Sequence, residues 1–137
     1  PLFGLTLRAS RTIFVDREDS SDAKKAIKNA ISAIKNDKNH IWIFPEGTRS
    51  QGKGLGAFKK GAFAMAIAAQ TPIVPIINQP MEHVLDTNTK TLRDDLQQMK
   101  ILPAIETKGM KFRDIDALLK QVEELFHREI RNFPAAV

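Results

Sequence analysis

A four-residue apolar run at positions 41–44 leads directly into a turn that carries most of the chain's polar chemistry. The run reads Ile-Trp-Ile-Phe, and its β-branched and aromatic residues predict a buried strand. Pro45 removes a backbone donor, so the strand is expected to end there. Turns at the carboxyl ends of buried strands are where open α/β sheets bind their ligands. The sequence therefore predicts a ligand site in the turn that follows residue 44.

The residue types in this turn suit an anion. A guanidinium can fork onto two phosphate oxygens, and a glycine lets backbone N–H groups approach an anion closely. A carboxylate repels phosphate, so it is expected to accept a ligand hydroxyl, to hold the guanidinium, or to cap the turn. The two hydroxyls suit donation to phosphate or capping of the next segment equally well. The candidate residues are Glu46, Gly47, Thr48, Arg49 and Ser50.

The composition narrows the class of partner. The 137 residues include 21 Lys and Arg against 16 Asp and Glu, a net charge of +5 that favours phosphate, nucleic acid or an acidic membrane surface, although a plain basic surface explains it as well. Tyr is absent and Trp42 lies in the apolar run, so no nucleic-acid partner is predicted. The chain has no cysteine, which excludes disulfides and thiolate metal sites. No metal site is predicted.

Hydrophobic periodicity divides the chain into alternating strands and helices. The order strand, helix, strand near the N-terminus favours a parallel pair joined by a right-handed crossover. Pro75 inside a later strand indicates an edge or a bulge. We expect an α/β fold, with a mostly parallel or mixed sheet flanked by helices. The predicted strands are 12–15, 41–44, 73–77 and 100–105. The predicted helices run from about 20 to a turn cluster at 36–39, from about 58 to 70, and from Asp114 or Asp116 onward.

Two stretches are less clear. Residues 92–99 fit either one or two helical turns or an irregular excursion. The longest mostly apolar stretch, residues 61–77, is interrupted by polar residues and two prolines. It is shorter than the roughly 20 apolar residues that a spanning helix needs, so no transmembrane span is predicted in this segment.

The chain does not begin with Met and is expected to be a fragment.

These residues give the chain a resemblance to the glycerolipid acyltransferase superfamily, and within it to the 1-acylglycerol-3-phosphate (lysophosphatidate) acyltransferases. That family shows four blocks in order: His-x4-Asp, Gly-x-x-Phe-x-x-Arg, Phe-Pro-Glu-Gly-Thr-Arg-Ser and Val-Pro-Ile. Residues 44–50 match the third block in full, and 73–76 match the fourth. Residues 10–17 match the second, with Ser10 or Arg11 in place of the usual Gly.

The resemblance implies acyl transfer from acyl-CoA to the free hydroxyl of lysophosphatidate, which yields phosphatidate. Acyl-CoA is then a cosubstrate and no bound cofactor is expected. The parent enzyme is expected to associate with a membrane surface. In the acceptor site, Arg17 and Arg49 are expected to clamp the phosphate. The other implied site residues are Glu46, Gly47, Thr48 and Ser50, with Lys59, Lys60 and Pro75 as further candidates; solvated lysines and a core proline remain open alternatives.

The first block of the family is missing from the chain. The residues five positions after the three histidines are Pro45, Asn88 and Asn132, so none is an Asp. In the family, that His takes the proton from the acceptor hydroxyl and the Asp orients it. We therefore expect residues 1–137 to be the C-terminal portion of a single truncated acyltransferase domain, inactive on its own. The alternatives are a catalytically inactive phosphate- or lipid-binding module, and an acyltransferase acting on glycerol-3-phosphate or another lysophospholipid.

Overall fold

The computed structural model describes residues 6, 9, 20–48, 54–79, 84–86 and 89–133. The chain forms two compact units, residues 1–42 and 43–137. The predicted strand at 12–15 lies outside the described residues. Among the helices that are described, none has both the length and the apolar content to cross a bilayer.

The first unit contains helix α1, Ser20–Asp37. It confirms the helix predicted from periodicity and extends two residues into the predicted turn cluster. Ala26 and Ala30 are buried on one face, whereas the lysines at 24, 25, 28 and 35 are exposed on the other. The helix ends where Lys38 takes a left-handed conformation, with a φ of 53°. The Asn39 N–H then donates to the carbonyl of Ala33 at 3.1 Å.

The core of the second unit lies between two helices. Helix α2 spans Lys60–Ala69, and helix α3 spans Ile115–Arg131 after a 3₁₀ turn at Phe112–Asp114. Four residues of α2 are buried, in agreement with its largely apolar composition: Phe63, Met65, Ala66 and Ile67. Burying each large apolar side chain contributes about 1.5–3 kcal/mol. The buried cluster consists of Phe58, Phe63, Ile67, Leu118 and Val122.

The described strands pair antiparallel. Strand β1, Ile76–Asn78, pairs with β4, Met99–Ile101, and Ile77 lies opposite Lys100. Strands β2, Leu85–Asp86, and β3, Thr91–Leu92, form a second antiparallel pair. The prediction of a mostly parallel sheet is therefore wrong for these strands. The reason is the connection: the chain between β1 and β4 contains this short pair and no described crossover helix, which a parallel pair requires.

Residues 92–99, for which the sequence allows either helical turns or an irregular excursion, lie in this region. The described chain has no helical turn there, and the helical alternative is wrong. Residues 93–98 have no regular structure and lead from β3 to β4. The strand predicted at 100–105 is confirmed in part, since Met99–Ile101 pairs with β1 and Ile105 forms an isolated bridge with Ile73.

Pro75 lies opposite a bulge in the partner strand, which is one of the two features, an edge or a bulge, that its position in the sequence predicted. Ile73 pairs with Ile105 and Ile76 pairs with Ile101, so two residues, 74–75, face three, 102–104. An extra residue on one strand is the definition of a bulge. Pro75 has no N–H to donate, but its carbonyl accepts the Leu102 N–H at 3.0 Å. The ladder thus resumes on both sides of the proline.

The strand predicted at 41–44 is wrong. The segment has no regular structure, and Trp42, Ile43 and Phe44 are 59%, 47% and 63% exposed. The four described strands pair among themselves, and none of them pairs with residues 41–44. Apolar composition alone therefore did not decide the conformation of this segment.

A charged cluster ties β4 to α3. Lys100 forms an ion pair with the carboxylate of Glu129, which also accepts a hydrogen bond from Arg128 at 3.3 Å. The hydrogen bond from Lys100, followed by that from Arg128, lowers the pKa of Glu129 below 4.5, against a smaller opposing effect of desolvation. The ion pair thus attaches β4 to α3 through a contact that is expected to weaken with added salt.

The C-terminal end of α2 is closed by side chains. Gln70 takes a left-handed conformation and donates to the carbonyls of Ile67 and Met110, at 2.7 and 3.1 Å. Thr107 is fully buried, and its hydroxyl lies 2.7 Å from the Thr71 carbonyl oxygen and 3.2 Å from that of Ala66. The Ile67 and Ala66 carbonyls also accept backbone N–H groups, so these side chains add second hydrogen bonds at the end of the helix.

Candidate functional site

The polar block begins with a tight turn. The Gly47 N–H donates to the Phe44 carbonyl at 3.2 Å, which places Pro45 and Glu46 at the two central positions of a β-turn. Gly47 has a φ of +70°. Glycine adopts this backbone region at less cost than residues with a side chain, so the conformation of the turn by itself favours glycine here. Its contribution to ligand binding stays a prediction.

The side chain of Glu46 holds the loop that follows the block. Its Oε2 accepts the N–H of Gly56 at 2.6 Å in a partly buried position. A Cβ on residue 56 would lie 2.9 Å from the same oxygen, closer than such atoms approach in real proteins. The carboxylate thus holds a loop ten residues away, a contact that none of its three predicted roles described, and those roles stay predictions. This contact leaves room for a second contact, because a carboxylate offers about four lone-pair sites.

Lys59 lies against the turn, whereas Lys60 faces α3. The backbone N–H of Lys59 donates to the Pro45 carbonyl at 2.7 Å. Its Cγ is 3.5 Å from where a Cβ on Gly47 would stand. The ammonium of Lys60 pairs with Asp116 at 2.6 Å, with both side chains about 70% exposed. Since such surface pairs contribute about 0–1 kcal/mol, this pairing would compete only weakly with a ligand phosphate.

Glu123, which the sequence did not mark as a candidate, contacts the loop between the turn and α2. Oε1 of Glu123, on α3, accepts the N–H of Phe58 at 2.7 Å. The Phe58 ring packs edge-on against Phe126 at 5.2 Å and stacks on Phe63 at 6.3 Å between centroids. Because 65 residues separate Glu123 from Phe58, no local spacing could have indicated the contact.

The structure brings together only part of the predicted site. Arg17, Arg49 and Ser50 lie outside the described residues, so the phosphate clamp stays a prediction. Thr48 is exposed at the end of the turn. Pro75 is buried at the bulge, which fits its core alternative.

Comparison with known proteins decides the family. Residues 1–79, more than half of the chain, match the family model described as Acyltransferase. The chain belongs to the acyltransferase family. The matched region includes the complete block at 44–50 and ends shortly after Pro75.

Relatives of this acyltransferase-family chain occur in animals and bacteria. It is 32% identical over 128 residues to 1-acyl-sn-glycerol-3-phosphate acyltransferase beta of Homo sapiens, covering 93% of this chain and 45% of that protein. It is 39% identical over 88 residues to the 1-acyl-sn-glycerol-3-phosphate acyltransferase of Haemophilus influenzae, covering 64% of this chain and 37% of that protein. The chain thus spans less than half the length of the curated relatives it matches.

A solved structure supports the same family. The crystal structure of the 1-acyl-sn-glycerophosphate (LPA) acyltransferase PlsC from Thermotoga maritima aligns with a TM-score of 0.67 and 27% sequence identity. The alignment covers 82% of this chain and 47% of that one. The mixed helix and sheet fold of this chain therefore resembles that of PlsC.

Proposed function

We propose that the protein containing this chain transfers an acyl group from acyl-CoA to the free hydroxyl of lysophosphatidate, and that this segment contributes the acceptor site. The observation that carries the proposal is the complete Phe-Pro-Glu-Gly-Thr-Arg-Ser block at 44–50. It occurs in a chain whose relatives are named 1-acyl-sn-glycerol-3-phosphate acyltransferases.

The geometry of the turn supports a preorganised acceptor site. Three hydrogen bonds hold the residues just before Arg49: Gly47 to Phe44, Gly56 to Glu46, and Lys59 to Pro45. Ordering a backbone residue costs about 1–2 kcal/mol, so a turn that is already ordered loses less free energy when its ligand binds. Arg49 and Arg17 are proposed to neutralise the acceptor phosphate. A guanidinium does this well because two of its five N–H donors can pair with two phosphate oxygens at once.

The chemical step is a simple exchange of acyl acceptors. The acceptor hydroxyl oxygen attacks the thioester carbonyl carbon, an ester C–O bond forms, and the C–S bond breaks to release coenzyme A with the proton. The step requires a general base and, as proposed, neither a metal nor a bound cofactor. None of the three histidines in these residues has an Asp five positions later. The base is therefore proposed to lie in a part of the protein outside residues 1–137, and membrane association is proposed for the whole protein because its acceptor is a lipid.

The test is formation of phosphatidate by the full-length protein. Acyl-CoA is supplied with lysophosphatidate, glycerol-3-phosphate or lysophosphatidylcholine in parallel reactions. The proposal expects the highest kcat/KM with lysophosphatidate. A clear preference for glycerol-3-phosphate would assign a different acceptor, and no product with any acceptor would refute acyl transfer. Residues 1–137 alone are expected not to turn over, and robust turnover by them would refute the external base.

A second candidate is a phosphate- or lipid-binding module without catalysis. The observation that favours it is the absence of a His-x4-Asp block from these 137 residues. It predicts that the full-length protein binds lysophosphatidate but forms no phosphatidate. The assay above therefore separates the two candidates.

A further inference from the structure

A carboxylate on the last helix holds the loop that precedes α2. Glu123 Oε1 accepts the backbone N–H of Phe58 at 2.7 Å, in a partly buried position. Glu123 lies beyond residue 79, where the match to the family model ends. Its contact with Phe58 therefore joins the matched region to a part of the chain outside it.

The same loop is attached to the Glu46 turn on both sides of Phe58. The Gly56 N–H donates to Glu46 Oε2 at 2.6 Å, and the Lys59 N–H donates to the Pro45 carbonyl at 2.7 Å. Peptide units are planar and consecutive Cα atoms are about 3.8 Å apart, so a shift at Phe58 moves its neighbours directly. Within residues 56–59, one amide is thus held by α3 and two are held by the turn.

Helix α2 has no side-chain cap of its own at this end. Its N-cap residue is Lys59, which makes no capping hydrogen bond through its side chain. N-caps favour Ser, Thr, Asp or Asn, and a lysine puts positive charge at the positive end of the helix dipole. Glu123 brings a carboxylate to this end from α3. Phe126, three residues further along α3, packs against the Phe58 ring at 5.2 Å and fixes the same junction.

We infer that Glu123 is a positioning residue for the acceptor site. By holding the Phe58 amide it fixes residues 56–59, and through them the orientation of Glu46 and the turn at Gly47. Glu123 does not contact the acceptor itself. The inference rests on the proposed function for the identity of that acceptor, lysophosphatidate.

The kinetic test compares variants of the full-length protein. Glu123→Ala removes the acceptor of the Phe58 N–H, and we expect the KM for lysophosphatidate to rise about tenfold, with a much smaller change in the KM for acyl-CoA. Glu123→Gln keeps an oxygen that can accept this bond and should restore most of the affinity. The matched control is Glu124→Ala. Glu124 is exposed, and its Oε1 makes only a long surface ion pair, at 3.9 Å, with Nζ of Lys120.

A purely structural role would give a different result. It would lower the Tm and the active fraction of Glu123→Ala while leaving the KM for lysophosphatidate unchanged, and that outcome overturns the inference. Should Glu123→Ala fail to fold, Glu123→Asp provides the same comparison, since it withdraws the carboxylate by one methylene.

A second readout does not depend on turnover. Hydrogen exchange of a peptide covering residues 54–59 should be about tenfold faster in Glu123→Ala than in wild type or Glu124→Ala, because the Phe58 amide has lost its acceptor. Unchanged exchange overturns the inference even in an active enzyme. A wild-type protein that forms no phosphatidate refutes the proposed function instead, while the exchange comparison still decides whether Glu123 holds this loop.

Discussion

Glu46 Oε2 lies 2.6 Å from the backbone nitrogen of Gly56, ten residues later in the chain. The carboxylate of Glu46, which belongs to the block at 44–50, thus holds the loop that leads into α2. The absence of a side chain at position 56 allows this approach, because a Cβ there would stand 2.9 Å from the same oxygen. The two residues therefore form one structural unit.

The first prediction tests this unit by a double-mutant cycle. Gly56→Ala should lower the free energy of unfolding by about 1–2 kcal/mol, because the new methyl displaces the carboxylate from its N–H. In a Glu46→Ala background the clash is gone, and Gly56→Ala should be neutral or stabilising by up to about 1 kcal/mol. Urea unfolding of the four proteins measures the coupling. Equal effects in both backgrounds would mean that the two residues act independently.

The second prediction concerns the proposed phosphate clamp. Arg49→Ala in the full-length enzyme should raise the KM for lysophosphatidate by roughly tenfold to a hundredfold, the cost of one charge-assisted contact at about 1.5–3 kcal/mol. Steady-state kinetics with each substrate varied in turn give the measurement. Arg113→Ala is the control, since this exposed arginine makes only a 3.9 Å surface pair with Asp114. An unchanged KM together with an unchanged rate would remove Arg49 from the site.

The third prediction concerns the buried end of α2. Thr107→Val keeps the shape of the side chain but removes the hydroxyl near the Thr71 and Ala66 carbonyls. We expect a loss of about 1–2 kcal/mol in the free energy of unfolding, since the partly buried Thr71 carbonyl loses this donor, whereas the Ala66 carbonyl keeps the Thr71 N–H. Thr89→Val, at an exposed position in the β2–β3 connection, should change stability by less than about 0.5 kcal/mol. Similar effects of the two substitutions in thermal unfolding would contradict this account.

The fourth prediction is a pH dependence. Lys100 and Arg128 lower the pKa of Glu129 in the folded protein below 4.5. A lowered carboxyl pKa adds stability that is present above the unfolded value and is lost as the pH falls through the folded one. The difference in Tm between wild type and Glu129→Gln should therefore be largest near pH 7, and should shrink as the pH falls below about 4.5. Added salt should also reduce it at neutral pH, because the pair is near the surface. A difference that does not vary with pH would exclude the ion pair as its cause.

Local patterns in the sequence were sufficient for helices α1 to α3. Apolar residues at helical spacing located α1 and α3, and the nearly continuous apolar run of α2 agrees with its burial. The missing N–H of Pro75 predicted an edge or a bulge, and the turn at Gly47 follows from the residues around it. Each of these features depends on neighbouring residues, so a single sequence contains the information.

The strands were predicted less well, because pairing is not a local property. The composition of residues 41–44 suits a strand, yet these residues have no regular structure, since a strand also requires a neighbour with the right direction and register. Nothing near β1 in the sequence indicated that its partner would be the antiparallel β4.

By itself, the sequence determined the family, through the block at 44–50, and the positions of the helices, through their periodicity. Only the tertiary structure decided which groups meet: Glu46 with Gly56, and Glu123 with Phe58. The physical reason is that a backbone amide offers the same donor at every position. Which oxygen it meets is set by the packing of helices that are far apart in the chain.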